Sequence, residues 1–299
     1  MSVPVAQSVA CLNCGTPLAG PFCFTCGQRD IPPYPSTREL VVDAFWELSG
    51  WDGRFVSTVK ALVQRPGLLT REFLEGRRAR FLSPLRLYLL ASLVYFVLAA
   101  AAPQVQLGNA KPSVSVTSTK VSGPERVANA TSASLSKDTA LSAAQKQAAL
   151  KDIERAPGLM RPFLRKAVGD PKGFKRGVIE AMPKLLFALL PVFAGIVALF
   201  YRHRKYPEHL YFAIHLHAFV FLALCVSELS KFTRLAPLVG ACAVIAFCWI
   251  VVYANLAFRR VYGGSLAGTL ARQVAIGLLY GASSVVALVV MVYWVSLFG

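Results

Sequence analysis

Charge is scarce in this chain. Asp, Glu, Lys and Arg make up 16% of its 299 residues, and acidic side chains number only 15. A soluble domain of this length needs more charge than that to cover its surface, which excludes an ordinary water-soluble fold. Residues 1–10 hold neither a basic n-region nor a long apolar h-region, so no cleaved signal peptide is expected. There is no HExxH, no nucleophile elbow and no phosphate-binding glycine loop, so the chemistries those motifs serve have no anchor here. No internal repeat is evident.

What the chain does have is apolar and arrives in blocks. Hydrophobic residues reach 55% and the mean hydropathy is +0.52. Five runs approach or reach the roughly 20 residues that cross a hydrocarbon core about 30 Å thick. They cover 84–102, 185–201, 210–227, 235–257 and 274–298. The second and third are short and rely on Tyr201, Tyr206 and Tyr211 as interfacial ends. The pattern predicts an all-α membrane protein with about five transmembrane helices. Residues 1–83 would form a polar region before the first span.

The net charge of +17 invites a nucleic-acid reading, but its distribution argues against one. Residues 1–83 carry nine Lys and Arg against seven Asp and Glu, so that region is nearly neutral. The surplus flanks the spans and fills 103–182, with thirteen basic residues against six acidic. Basic residues beside spans set topology and meet anionic headgroups. Arg71, Arg77, Arg78 and Arg80 form such a membrane-surface cluster before the first span. Arg202, Arg204, Lys205, Arg259 and Arg260 in two short loops agree with a cytoplasmic N-terminus and an external C-terminus. Lys172, Lys175, Arg176 and Lys184 fall on the predicted outside, but in a loop of about 80 residues, and long loops largely escape the rule.

Two short motifs stand out near the start. Cys11-Leu-Asn-Cys14 and Cys23-Phe-Thr-Cys26 are CxxC pairs with eight residues between them, a spacing suited to four thiolates around one Zn2+. Gly15 and Gly27 follow each pair, where backbone wrapping a metal needs positive φ. So small a segment has too little apolar surface to fold alone, and metal binding would supply the folding free energy. Disulfides would require an oxidising compartment, and a redox CxxC comes singly beside a βαβ pattern. Four protein ligands close the coordination shell, so the zinc would be structural. Cys225, Cys242 and Cys248 lie in spans and read as small buried apolar residues.

The expected organisation is a zinc ribbon at 1–30, then a linker and amphipathic juxtamembrane helices at 31–83. The first transmembrane helix covers 84–102. A loop at 103–182, disordered and then amphipathic, leads to a four-helix transmembrane region at 183–299. Within 31–83, Ser36-x-x-Glu39 reads as a capping box before one helix. Phe55, Val59, Leu62 and Val63 mark a second that ends before Pro66-Gly67. With Trp46 and Trp51, both suit the membrane surface; a small soluble helical pair is the alternative.

Several short motifs carry a resemblance. They are Cys26-Gly27-Gln28, Arg65-Pro66-Gly67, Glu75-Gly76-Arg77-Arg78 and Ser83-Pro84-Leu85-Arg86-Leu87-Tyr88. Further along come Pro183-Lys184, Pro191-Val192-Phe193-Ala194, Glu208-His209, His215-Leu216-His217, Tyr253 and Arg260-Val261-Tyr262-Gly263. On these the chain resembles the bacterial integral membrane family with an N-terminal zinc ribbon known as domain of unknown function 3667. The resemblance implies a bacterial cytoplasmic membrane and transfers no activity.

Glu208, His209, His215 and His217 make a candidate intramembrane polar site, since an ionisable residue inside a span is a functional hypothesis by default. Geometry weakens it on one helix, because His215 and His217 point about 160° apart. Glu228, Tyr253, Asn255 or Arg272 would have to complete it. The reading that follows is a non-enzymatic scaffold whose ribbon and interfacial helices recruit a protein partner. A small-solute or proton-handling transporter using the histidines is the alternative.

Overall fold

The computed structural model describes residues 10–30, 54–103, 147, 150–155, 157–158 and 160–298. The expected helix over residues 36–48 and nearly all of the stretch expected to be disordered lie outside the described residues. The described part is helical, without a strand: α1 (Arg54–Gln64), α2 (Leu68–Leu74), α3 (Pro84–Ala101), α4 (Arg161–Gly169), α5 (Pro171–Phe200), α6 (Tyr206–Ser230), α7 (Ala236–Tyr262) and α8 (Leu266–Phe298). Of these, α3, α5, α6, α7 and α8 are long and apolar enough to cross a membrane, and the four-cysteine segment precedes them.

Two compact units divide the chain. The first joins Met1–Asn109 to Leu190–Tyr280, and α6 is its axis. Some 61% of the α6 apolar window is buried, against 33% or less for each other span. A helix enclosed on all sides can be apolar all round. Aromatic rings fill its contacts. Phe221 meets Tyr88, Tyr95 and Phe96 of α3. Phe219 lies flat against Tyr253 of α7, and Phe212 packs on Phe258 and Tyr262. Apolar side chains such as Leu93, Val97, Ile245 and Phe247 point outward, as a lipid-facing surface requires.

The helices before the first span do not lie free. α2 packs against both α6 and α7, and α1 against α2 and α6. Of the two helices expected before the first span, the one over 55–63 is α1, and together with α2 it forms a plug packed on the spans. The reason is the apolar face Leu69, Thr70, Phe73 and Leu74, all buried. Two glycines shape the plug. Gly67, at φ +75°, precedes α2, and a Cβ there would stand 3.0 Å from the Ala257 carbonyl oxygen of α7. Gly76, at φ +80°, ends α2 in a Schellman turn. Arg77 N–H donates to Glu72 O at 2.8 Å and Gly76 N–H to Phe73 O at 3.2 Å.

Backbone groups exposed by these breaks are met by distant side chains. The last carbonyls of α1 have no intrahelical donor, and Pro66 has no N–H to offer. Tyr253 OH donates to Leu62 O at 2.9 Å, and Arg260 Nη1 donates to Pro66 O at 2.8 Å. At the far end of the plug, Arg54 Nη1 donates to Ala79 O and Leu82 N–H donates to Thr58 Oγ1.

The second unit joins Ala110–Leu189 to Gly281–Gly299. Its core is Ala167 of α4, Phe174 of α5 and Val295 of α8, with Phe163, Val178, Ala181 and Val292 packed around them. The loop expected to end at residue 182 ends earlier: α5 begins at Pro171 and runs unbroken past 183. Asp170 explains this, because its Oδ1 accepts the Gly173 N–H at 2.9 Å, capping the helix with proline in its first turn. The last span likewise starts before 274, at Leu266. Cys225 is buried as expected, but Cys248 is exposed on the outward side of α7.

Gly67→Ala should test the close approach of α2 to α7. Strain at positive φ together with the Ala257 contact should cost about 1–3 kcal/mol. A clearly lowered thermal midpoint in detergent is expected; an unchanged midpoint would remove the steric argument.

Candidate metal centre and intramembrane polar residues

Two near-identical knuckles build the cysteine site. In the first, Cys11 N–H donates to Thr16 O and Gly15 N–H to Cys11 O, both at 2.8 Å. In the second, Cys23 N–H donates to Gln28 O and Gly27 N–H to Cys23 O, again at 2.8 Å. Gly15 at φ +77° and Gly27 at φ +71° close each loop, as their positions after the CxxC pairs suggest. Antiparallel bridges Ala10 to Pro17 and Phe22 to Arg29 frame the two knuckles. Each of these bonds and bridges has its counterpart twelve residues on, a local repeat too short to stand out as a sequence period.

The four sulfurs converge. All lie within 4.8 Å of one another, with Cys11 Sγ to Cys26 Sγ at 3.6 Å and Cys14 Sγ to Cys23 Sγ at 3.5 Å. Tetrahedral zinc with Zn–S bonds near 2.3 Å sets its sulfurs about 3.8 Å apart, so the cage fits a metal ion of that size. None of the cysteines is in a disulfide. The Thr16 hydroxyl, 3.3 Å from Cys14 Sγ, pulls that thiol down to about 6, while burial pushes Cys11 up to about 11. A cation in the cage would favour the thiolate at both positions.

The knuckles touch the plug through one side chain. Gln28 Nε2 donates to Gly76 O at 2.7 Å, and Gln28 Oε1 accepts Arg78 N–H at 3.0 Å and Ala79 N–H at 3.1 Å. Leu12 of the first knuckle covers Gly76 so closely that a Cβ there would come within 2.6 Å of Leu12 Cδ1. Sequence reading marked Gln28 only as part of a motif.

The arginine cluster is partly spoken for. Arg77 makes two hydrogen bonds to Glu72, at 2.6 and 2.8 Å, and also pairs with Glu75, which Arg71 engages at 2.7 Å. Hydrogen bonding from Arg71 holds the Glu75 carboxyl below the usual carboxylate range. Its pairing is therefore present at neutral pH and lost only as acid protonates it. Arg78 stands 6.0 Å over the Tyr211 ring, and Arg80 is exposed.

The intramembrane candidates are not brought together. His215 Nδ1 shares a 3.0 Å hydrogen bond with Thr70 of α2. His217 Nε2 meets Tyr280 OH at 3.0 Å, and its Nδ1 meets Ala213 O at 2.8 Å. His209 Nδ1 pairs with Tyr262 OH at 2.8 Å. Glu208 takes Arg204 at 2.8 Å and accepts the Lys205 N–H at the start of α6. The residues that might have completed a shared site have other partners. Glu228 pairs with Lys231, Asn255 with Gln273, and Arg272 lies over Tyr201. Thr70 was missed because α2 spans seven residues, too few for a periodic signal.

Purified protein should carry one thiophilic metal ion per chain, measured by elemental analysis. Replacing Cys11 and Cys14 together by serine should abolish it, while Cys225→Ser should not. Full occupancy without the first pair would show that the metal sits elsewhere.

A family model described as "Protein of unknown function (DUF3667)" matches residues 52–96. No curated protein and no solved structure matches the chain. The motifs at Pro66-Gly67, Gly76-Arg77 and Pro84 fall inside the matched stretch, and the cysteines and intramembrane histidines fall outside it. Over the plug and the first two-thirds of α3, then, the chain is similar to the DUF3667 family.

Proposed function

We propose that this is a non-enzymatic integral membrane scaffold whose four cysteines hold a structural Zn2+ and whose ribbon recruits a protein partner in the cytoplasm of a bacterium. One observation carries the reading: the intramembrane histidines are spent on separate contacts between elements rather than gathered around a shared pocket. Hydrogen bonds of this kind contribute about 0.6 kcal/mol each within a bilayer, enough to favour one packing. The ribbon supports recruitment from the other side. Its Leu12 and Gln28 are turned to the plug, whereas Phe22 and Phe24 are 60% and 77% exposed. Exposed aromatic side chains on a small rigid module suit a protein partner. Arg80, with the paired Arg71, Arg77 and Arg78, would face anionic headgroups of the inner leaflet beside the first span. That placement supports a cytoplasmic N-terminus.

A second reading, a pathway for protons or a small solute, has one observation in its favour. His215 Nε2 is buried without a hydrogen-bond partner and lines a cavity of about 10 Å³ with Thr70, Tyr253 and Gly67. That volume admits roughly one water molecule.

Flux through proteoliposomes separates the two. Under the scaffold reading, His215→Ala and His217→Ala leave proton and solute permeability at the protein-free level, as wild type does. Flux in wild type that both variants lose while remaining folded would overturn it. Phe24→Ser should retain its metal and membrane insertion yet lose crosslinked partners in intact cells. Undiminished crosslinking would move the partner surface off the ribbon.

A further inference from the structure

We propose that Gln28 latches the metal-folded ribbon to the turn at residues 75–80, so that metal loading of the cysteines sets the order of α2 and of the lead into the first span. The inference rests on the metal-binding part of the function proposed above and adds what the ribbon does to its own chain.

The latch is fully reciprocal in hydrogen-bonding terms. A primary amide has two donors and a carbonyl with two lone pairs. Gln28 gives a donor to Gly76 O and uses its carbonyl for two consecutive backbone N–H groups, Arg78 and Ala79. These three contacts span 48 to 51 residues of sequence. No other orientation of the amide satisfies both the carbonyl and the N–H groups, so the contact is directional as well as close. Leu12 adds an apolar cover over Gly76, where φ of +80° favours glycine and a Cβ would push the Leu12 side chain aside.

Both ends of the latch are conditional structures. Gln28 occupies a fixed place because its own carbonyl accepts the Cys23 N–H within the second knuckle. The ribbon has two isolated bridges, one to each knuckle, and little buried apolar surface, and without a metal it lacks the free energy to stay folded. The turn at its other end is irregular backbone between a seven-residue helix and the proline that opens α3. Seven residues are too few to hold helical form without tertiary support. Remove the ribbon and Gly76 O, Arg78 N–H and Ala79 N–H lose Gln28. The Schellman turn that stops α2 then loses its outer clamp. α2 in turn carries Thr70, the hydrogen-bond partner of His215 in the buried axis of the first unit. Metal occupancy at the ribbon is thereby coupled to the packing of a membrane helix, through the Gln28 side chain at Gly76, Arg78 and Ala79 and the Thr70–His215 hydrogen bond.

Hydrogen exchange on the full-length protein in lipid nanodiscs tests this, with bound zinc measured in parallel. In the zinc-loaded wild type, amides of residues 75–79 should be protected. Stripping the metal with a chelator should raise their exchange roughly tenfold or more. Gln28→Ala should raise it to a similar extent with one zinc still bound, and chelation should then add little. Gln28→Glu keeps both acceptor roles but cannot donate to Gly76 O, so it should fall between. Unchanged exchange at 75–79 in zinc-loaded Gln28→Ala would overturn the latch while leaving the zinc site standing. Absence of bound zinc in wild type would overturn the metal reading and the coupling with it.

Discussion

Unpaired backbone groups in the segment between α1 and α3 are the constraint on which the first unit depends. Three interruptions, at Pro66-Gly67, at Gly76 and before Pro84, leave carbonyls and N–H groups that regular helix would have consumed. Close to a bilayer such groups cost several kcal/mol each if nothing meets them. The fold answers from three directions: Tyr253 and Arg260 reach back from α7, Arg54 and Thr58 reach forward from α1, and Gln28 reaches across from the ribbon. Since these partners are spread over three elements, satisfying the plug also fixes the relative placement of those elements. Arginine suits the Pro66 carbonyl because its guanidinium stays charged and its long stem can lie along apolar surface.

The same logic accounts for polar residues on the most buried helix. α6 carries Glu208, His209 and His215 in its buried face, where an unpartnered charge would be prohibitive. Each finds a neighbour from outside the helix or from its own start. Glu208 closes the first turn by accepting the Lys205 N–H, and the guanidinium of Arg204 completes it; Arg204 also donates to Val261 O of α7 at 2.9 Å. His209, stacked on Tyr262 and hydrogen-bonded to it, continues the link to α7. The histidines therefore read as joints between α6 and three different neighbours, α2, α7 and α8.

How much of this could be read from the chain depends on the range of the interaction. The four ligands and their glycines were legible because a knuckle is a local object, complete within six residues. Spans were legible because lipid demands length and apolarity in one continuous run. The start of α5 was also written locally, in Asp170-Pro171, but the basic composition around it pointed to a separate interfacial helix. Thr70 and Gln28 were not legible. Each matters only through a partner 145 or about 50 residues away, and neither residue type advertises such a role. The motifs Pro-Gly and Gly-x-Arg were visible as motifs, yet their reason was not. One glycine lies against the backbone of α7 and the other beneath Leu12, and both approaches are products of the folded state.

A ribbon of some twenty residues is an economical way to hold a turn of irregular backbone at a membrane surface. An apolar clamp could not supply donors and acceptors to Gly76, Arg78 and Ala79, and a flexible polar loop would lose much of its hydrogen-bond energy to ordering entropy. Knuckles held by a metal would avoid both difficulties, because the ion would fix the backbone and the backbone fixes Gln28. The consequence is a dependence that an ordinary loop would not have. If the proposed ion holds the ribbon, its loss by chelation or by oxidation of the exposed Cys14 would also remove three hydrogen bonds from the approach to the first span. The ribbon's contacts with Gly76, Arg78 and Ala79 thus give it a part to play within its own chain, apart from any partner it would meet.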